Sequence, residues 1–237
     1  MYKTVDVSRF KDLKDYQVTS IFQPRWDNTL LITPYDKNYT YVLTTDGEEL
    51  ILPQRLKNIL YDFSEYAEAS RLEMDTLYSI VKERTKGVIA GHYELVPTCG
   101  QTNCRVAYYM AHAVDHYTKD EQGIVITFKG ANGSLISALV DACPKTFERL
   151  REKADQVGRI QLELVKNLCN RFEIGDAELT HFVGATTPHE RELHRKQNEQ
   201  VFFDQIVKIV QQAAEKMFGE DLDKGFYEYI RKSLGLY

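Results

Sequence analysis

Short apolar runs and polar–apolar alternation fill most of the chain between residues 29 and 140 and predict β-strands. Asp46-Gly47 lies between two such runs and predicts a tight hairpin, because both central turn residues need positive φ. Gly130-Ala-Asn-Gly133 joins the last two runs and predicts a second hairpin. The predicted strands are 30–33, 39–44, 49–52, 93–96, 107–114, 124–128 and 135–140.

Four segments of the chain are predicted to be helical. Apolar residues recur at about 3.6-residue intervals from Pro53 to Gly87, which predicts a long helical stretch with a break near Ser70. Pro144 suits the first position of a second helix. Thr187-Pro-His-Glu190 is a start signal for a third helix, and a short helix follows over 222–234. The stripe of the second helix contains Phe147, Leu150, Ala154, Val157, Leu164, Val165 and Leu168.

These elements predict an α+β fold. Its central region is antiparallel and β-rich, with a long helix inserted, and a helical C-terminal third follows. We predict an N-terminal arm or edge strand over 1–26, an α+β domain over 27–172, and a C-terminal helical extension over 187–237. The apolar stripe of that extension, Phe202 to Met217, suits packing, dimer formation or contact with a partner.

Composition places the chain among ordinary globular proteins, with 43% hydrophobic and 27% charged residues. No apolar run approaches the roughly 20 residues that span a bilayer, and the N-terminus lacks a signal-peptide core. We therefore expect a cytoplasmic protein without a membrane partner. The net charge of −5 argues against a globally basic nucleic-acid binder, so any DNA contact must come from local patches.

Cysteine and histidine residues offer two chemical alternatives. Cys99 and Cys104, near His92, His112 and His116, are residue types that bind zinc, but the spacing is tighter than in zinc fingers. A Cys99–His112 nucleophile pair is the other alternative. We interpret the cysteines as reduced thiols, and we predict no metal, no cofactor and no enzymatic activity, because no acid–base constellation emerges from the spacing.

Basic residues carry the functional hypothesis. Lys82, Arg84 and Lys86 cluster where the first helical stretch ends, and Arg149 and Arg151 lie near the start of the Pro144 helix. Such clusters can hold phosphates through charge and counterion release. A solvated helix face with pairs between residues i and i+4 explains the same composition.

The order of several motifs between residues 27 and 155 resembles the ComK-type competence transcription factors of Gram-positive bacteria. Leu31-Ile-Thr-Pro34 matches a strand that ends in an apolar-x-Pro step, and Phe63 with Arg71 matches an aromatic residue followed eight residues later by arginine. Tyr108 stands where that family has tryptophan. Further matches are 86–89 for a basic apolar step, 95–98 for a Pro-Thr turn, 127–133 for a hairpin, and 147–150 for the helix that follows.

The resemblance implies a positive regulator of DNA-uptake genes that binds AT-rich double-stranded promoter DNA as a homo-oligomer and reads minor-groove shape. It also implies an adaptor that delivers the protein to a protease, although we recognise no docking segment for one. The alternative hypothesis is a related protein-interaction module that no longer binds DNA, as the acidic balance and the missing tryptophan suggest. The residues expected to contact DNA are Arg71, Lys82, Arg84, Lys86, Arg149 and Arg151.

Overall fold

The described residues form eleven strands and three α-helices. The computed structural model describes residues 3–7, 9–100 and 105–171, with the single positions Val207, Val210 and Gly225. The strands are β1 (Lys3–Asp6), β2 (Gln17–Val18), β3 (Thr29–Pro34), β4 (Thr40–Thr44), β5 (Glu49–Leu52), β6 (Val88–Ala90), β7 (Tyr93–Pro97), β8 (Tyr108–Met110), β9 (Val114–Asp120), β10 (Gly123–Lys129) and β11 (Leu135–Val140). The helices are α1 (Leu56–Tyr66), α2 (Arg71–Ile80) and α3 (Pro144–Arg171).

The larger sheet has seven strands in the order β2-β5-β4-β3-β8-β7-β6. All its pairs are antiparallel except the parallel pair of β2 with β5. Every residue of β4, and all of β3 except Pro34, is buried, so the middle of this sheet is covered on both faces. The predicted hairpin joins β4 and β5, and Gly47 has φ 80°. The expectation of positive φ at Asp46 is wrong, because the turn is longer than two residues: the Thr44 amide donates to the Glu48 carbonyl at 3.0 Å, and only Gly47 is left-handed.

The smaller sheet has four strands in the order β1-β11-β10-β9. The predicted hairpin joins β10 and β11 through a short 3-10 turn, Ala131–Gly133. The N-terminal strand β1 pairs in parallel with β11 at one edge. A hydrogen bond links the hairpin turns of the two sheets: the Ala131 amide, between β10 and β11, donates to the Thr45 carbonyl, after β4, at 2.8 Å.

The single strand predicted over 107–114 is wrong. Its first part is β8, in the large sheet, and a 3-10 turn at Ala111–Ala113 then carries the chain to β9, in the small sheet. A continuous apolar run indicates burial and does not reveal which sheet each half joins. Strands β6 and β9 were not predicted, since β6 is short and β9 is a polar edge strand.

The predicted break near Ser70 is confirmed, with α1 and α2 on either side of it. The Ser70 side chain accepts the Glu73 amide and caps α2. The first of these helices begins at Leu56, three residues after the predicted Pro53. The α+β class and the helix opening at Pro144 are confirmed as well.

Helix α3 packs on both sheets through one apolar stripe. Phe147 stacks on Tyr109 of β8 with ring centroids 5.0 Å apart, and it meets Tyr117 of β9 at 5.1 Å. The stripe is buried through Val157 only. Leu164, Val165 and Leu168, which the sequence pattern assigns to the same stripe, are each more than half exposed.

Two compact units divide the chain, Met1–Leu164 and Val165–Tyr237. Both sheets and helices α1 and α2 belong to the first. The predicted helices over 187–237 and the Phe202–Met217 stripe lie outside the described residues, apart from the isolated positions above. Within the described part of the chain, no helix is both long and apolar enough to cross a membrane.

Candidate nucleic-acid interface

The turn that ends α2 presents the first cations of the site. The Glu83 amide donates to the Tyr78 carbonyl at 3.0 Å and the Lys82 amide to the Ser79 carbonyl at 3.1 Å, which is the Schellman arrangement. Lys82 occupies the left-handed position of this motif, with φ 56°. Glycine is the residue usually found there, so an exposed lysine sits in a conformation that costs it free energy.

Glu83 organises the turn from inside. Its side chain is only 5% exposed, and its Oε1 accepts the backbone amides of Arg84 at 2.8 Å and Thr85 at 2.9 Å. Its Oε2 forms an ion pair with the Arg149 guanidinium of α3. A carboxylate buried to this degree requires such partners, because unpaired burial of its charge is costly. Glu83 therefore fixes the turn and Arg149 relative to one another.

Asp75 of α2 is the second carboxylate of the site. Lys86 places its Nζ 2.5 Å from Asp75 Oδ1, and Arg71 places its Nε 3.8 Å from Asp75 Oδ2. A depression on the surface is lined by Asp75 and Ser79 of α2 together with residues of the following turn. Those turn residues are Lys82, Glu83, Arg84 and Lys86.

We call the five cations held by this arrangement the basic cluster: Arg71, Lys82, Arg84, Lys86 and Arg149. With the two carboxylates Asp75 and Glu83, they carry a formal charge of +3, on a chain whose net charge is −5. Lys82 and Arg84 are exposed, and neither takes part in the ion pairs found within the described residues. These two side chains have the charge most available to a ligand.

Arg151, the sixth predicted contact, lies apart from the basic cluster. Its guanidinium carbon is 5.4 Å from the centre of the Tyr117 ring of β9, and the side chain is half-buried. Arg151 is two positions after Arg149, which turns their side chains about 200° apart around a helix. Proximity along the chain therefore does not place these two arginines in one site.

The residues of the alternative zinc and nucleophile sites are placed as follows. Cys99 is buried, and the Thr98 hydroxyl lies 3.9 Å from its sulfur. The His112 ring nitrogens contact the Glu94 amide at 3.4 Å and the Trp26 carbonyl at 3.2 Å, while His116 pairs with Asp115 at 3.0 Å. Cys104 lies outside the described residues. Among the described residues, no group of three or more His, Cys, Asp or Glu side chains could hold a metal ion.

Sequence reasoning missed both carboxylates of the site. Asp75 and Glu83 occupy polar positions of an amphipathic segment, and nothing in the local pattern separates them from solvated acids. The burial of Glu83 depends on Arg149, which is distant along the chain. No protein-family model, curated protein or solved structure matches this chain.

Proposed function

We propose that this protein is a DNA-binding transcription regulator that contacts the phosphate backbone of AT-rich promoter DNA through the basic cluster. The observation that carries the proposal is the convergence of cations from α2, the turn after it and α3 around Glu83 and Asp75. The resemblance stated above adds the expected role, a positive regulator of DNA-uptake genes that acts as an oligomer in the cytoplasm.

The charge balance of the basic cluster suits a polyanion. Local potential steers an anionic ligand even when the whole molecule is acidic, because screening limits the reach of distant charges to about 10 Å at 0.1 M salt. Arg84 and Lys82 have no carboxylate partner among the described ion pairs, so they can approach phosphates without first breaking an internal bond. A narrow AT-rich minor groove concentrates negative potential and favours an inserted arginine, a role that suits the exposed Arg84.

The number of cations sets the expected salt dependence. Each neutralised phosphate contributes roughly −0.9 to the slope of log affinity against log salt. Three to five contacts predict a loss of roughly 40- to 500-fold in affinity between 50 and 200 mM salt. Fluorescence anisotropy with labelled AT-rich and GC-rich duplexes measures this slope. Binding that does not change with salt contradicts the proposal.

A charge-reversal pair locates the contact. In Arg84→Glu with Lys86→Glu, the DNA affinity should fall at least tenfold and the salt slope should become shallower, while the far-UV circular dichroism stays native. The control is Lys37→Glu with Lys57→Glu, which reverses two exposed lysines outside the basic cluster and changes the net charge equally. Equal losses in both pairs would mean that only net charge matters, and the basic cluster would be excluded as the site.

One observation favours the alternative, a protein-interaction module that does not bind DNA. Lys86 and Arg149 direct their charges to Asp75 and Glu83, so part of the basic cluster is neutralised within the protein. If no duplex binds at 50 mM salt, while size-exclusion chromatography shows folded protein, the interaction module is the better description.

A further inference from the structure

A pair of carboxyl groups joins α3 to the large sheet. Glu94 of β7 is 7% exposed, and its side chain is hydrogen-bonded to that of Asp155 on α3. Two carboxylates have no hydrogen to share, so a hydrogen bond between them requires one proton. Neither residue belongs to the basic cluster.

The surroundings of the pair keep that proton in place. Burial raises the pKa of Glu94 to about 8, and the nearby charge of Asp155 acts in the same direction, while Arg151 and Arg159 of α3 oppose them. A carboxyl group that is desolvated beside a second carboxylate keeps its proton well into neutral pH.

Three groups of other elements face Glu94. The hydroxyl of Tyr109 on β8 is buried, and it has no hydrogen-bond partner among the described residues. Tyr78 of α2 interacts with Glu94 electrostatically, and burial raises the pKa of Tyr78 to about 12. His112 Nδ1 lies 3.4 Å from the Glu94 amide, and burial lowers the pKa of His112. None of the three supplies a positive charge to Glu94 at neutral pH.

The same region is where α3 approaches the sheet most closely. A Cβ on Gly158 would lie 2.4 Å from the Gly91 carbonyl oxygen and 3.2 Å from Glu94 Oε1. One turn later, the Gln161 side chain accepts the Gly91 amide at 2.9 Å and donates to the Ile89 carbonyl at 3.1 Å. The position of α3 on β6 and β7 therefore depends on contacts immediately around the carboxyl pair. Arg149, nearer the start of this helix, reaches Glu83.

We propose that Glu94 and Asp155 form a proton-operated latch, which holds α3 on β7 while they share one proton and releases it when that proton is lost. Loss of the proton leaves two negative charges together in a desolvated position, and release separates them by moving the helix that carries Arg149. DNA binding should then weaken as pH rises. This last consequence rests on the function proposed above, whereas the latch itself does not.

The direction of the pH effect follows from linkage. A carboxyl whose pKa is higher in the closed state than in the open state stabilises closure fully below its open-state pKa, and this stabilisation is lost as pH rises to the closed-state value. The equilibrium constant for closing of α3 onto the sheet should fall by up to tenfold per pH unit between pH about 5 and about 8, and it should level off above that. The lowered pKa of His112 has the opposite effect, because a histidine that is buried in its neutral form makes the closed state more stable as pH rises.

Hydrogen exchange of the α3 amides, corrected for intrinsic rates, measures this equilibrium directly. Protection of residues 150–160 should fall between pH 5.5 and 8 in the wild-type protein and stay nearly constant in Glu94→Gln. The control Glu121→Gln, at an exposed turn, should keep the wild-type fall. Constant or rising protection in the wild-type protein, or an equal fall in Glu94→Gln, would overturn the latch.

Two further measurements keep the test decisive if Glu94→Gln does not fold. Asp155→Asn should remove the same pH dependence. Carboxyl ¹³C NMR of the wild-type protein should show a glutamate that titrates far above the ordinary range of about 4.3. A spectrum in which every carboxyl titrates below pH 6 overturns the proposal without any variant.

DNA binding separates failure of the latch from failure of the proposed function. If protection falls with pH and Glu94→Gln abolishes the fall, yet no duplex binds at any pH, the latch stands and the DNA-binding proposal is wrong. If salt-sensitive DNA binding is found with constant protection, the function stands and the latch is wrong. A pH-dependent latch with pH-independent DNA binding would refute the coupling to Arg149.

Discussion

Replacing Lys82 with glycine should stabilise the protein while it weakens DNA binding. Lys82 occupies the left-handed position of the Schellman motif after α2, with φ 56°. A residue with a Cβ pays roughly 1–2 kcal/mol in that conformation, and glycine pays nothing there except its larger loss of chain entropy, roughly 0.5–1 kcal/mol. We expect Lys82→Gly to raise the free energy of unfolding by about 0.5–1 kcal/mol.

The same substitution removes one exposed cation from the basic cluster. One lost phosphate contact makes the salt slope shallower by roughly 0.9, and at 0.1 M salt this corresponds to a loss of roughly eightfold in affinity. The two effects have opposite signs. General destabilisation of the fold cannot produce this combination.

The chain contains a matched control. Glu68, after α1, has φ 54°, and the same two hydrogen bonds close its turn: the Ala69 amide donates to the Ser64 carbonyl at 3.1 Å and the Glu68 amide to the Glu65 carbonyl at 3.2 Å. Glu68→Gly should therefore stabilise the protein by a similar amount. Because it removes a negative charge outside the basic cluster, it should not weaken DNA binding.

Urea unfolding followed by circular dichroism measures the first effect, and anisotropy over a salt series measures the second. The reasoning about backbone conformation is refuted if Glu68→Gly stabilises the protein and Lys82→Gly does not. The role given to Lys82 is refuted if Lys82→Gly keeps wild-type affinity and salt slope.

Two further predictions concern α3. Gly158→Ala should destabilise the protein by about 1–3 kcal/mol in urea unfolding, because the new Cβ would meet the Gly91 carbonyl oxygen at 2.4 Å. Alanine in a helix interior is normally about 1 kcal/mol more favourable than glycine, so a stabilised variant would disprove this close approach. The control Gly100→Ala, where a Cβ meets nothing within 4 Å among the described residues, should be nearly neutral. The amides of Thr146 and Lys145 lower the pKa of the exposed Cys143 thiol at the start of α3. Iodoacetamide should therefore label Cys143 faster than the buried Cys99, and the labelling rate should rise with pH at a midpoint below that of a free cysteine. Peptide mapping measures both rates, and equal rates would contradict the prediction.

Local sequence signals determined the elements whose causes are themselves local. Gly47 and Gly133 marked the two hairpins correctly, because each takes a positive φ that its turn requires and that glycine adopts without strain. Ser70 and Glu73 lie three residues apart, so the cap that separates α2 from α1 could be recognised from the sequence. The cations of the basic cluster were also predicted, since charge is a property of each residue.

The tertiary structure alone decided which of those charges meet. The ion pair of Arg149 with Glu83 joins residues far apart along the chain, and the rotation of α3 separates Arg151 from it. The carboxyl pair of Glu94 and Asp155 likewise joins a strand to a distant helix. Periodicity reports how a segment divides between core and solvent, whereas the burial and pairing of a charged side chain depend on the partner that folding brings to it. For this reason the residues that organise the proposed site and its latch could not be recognised before the sheets and α3 were in place.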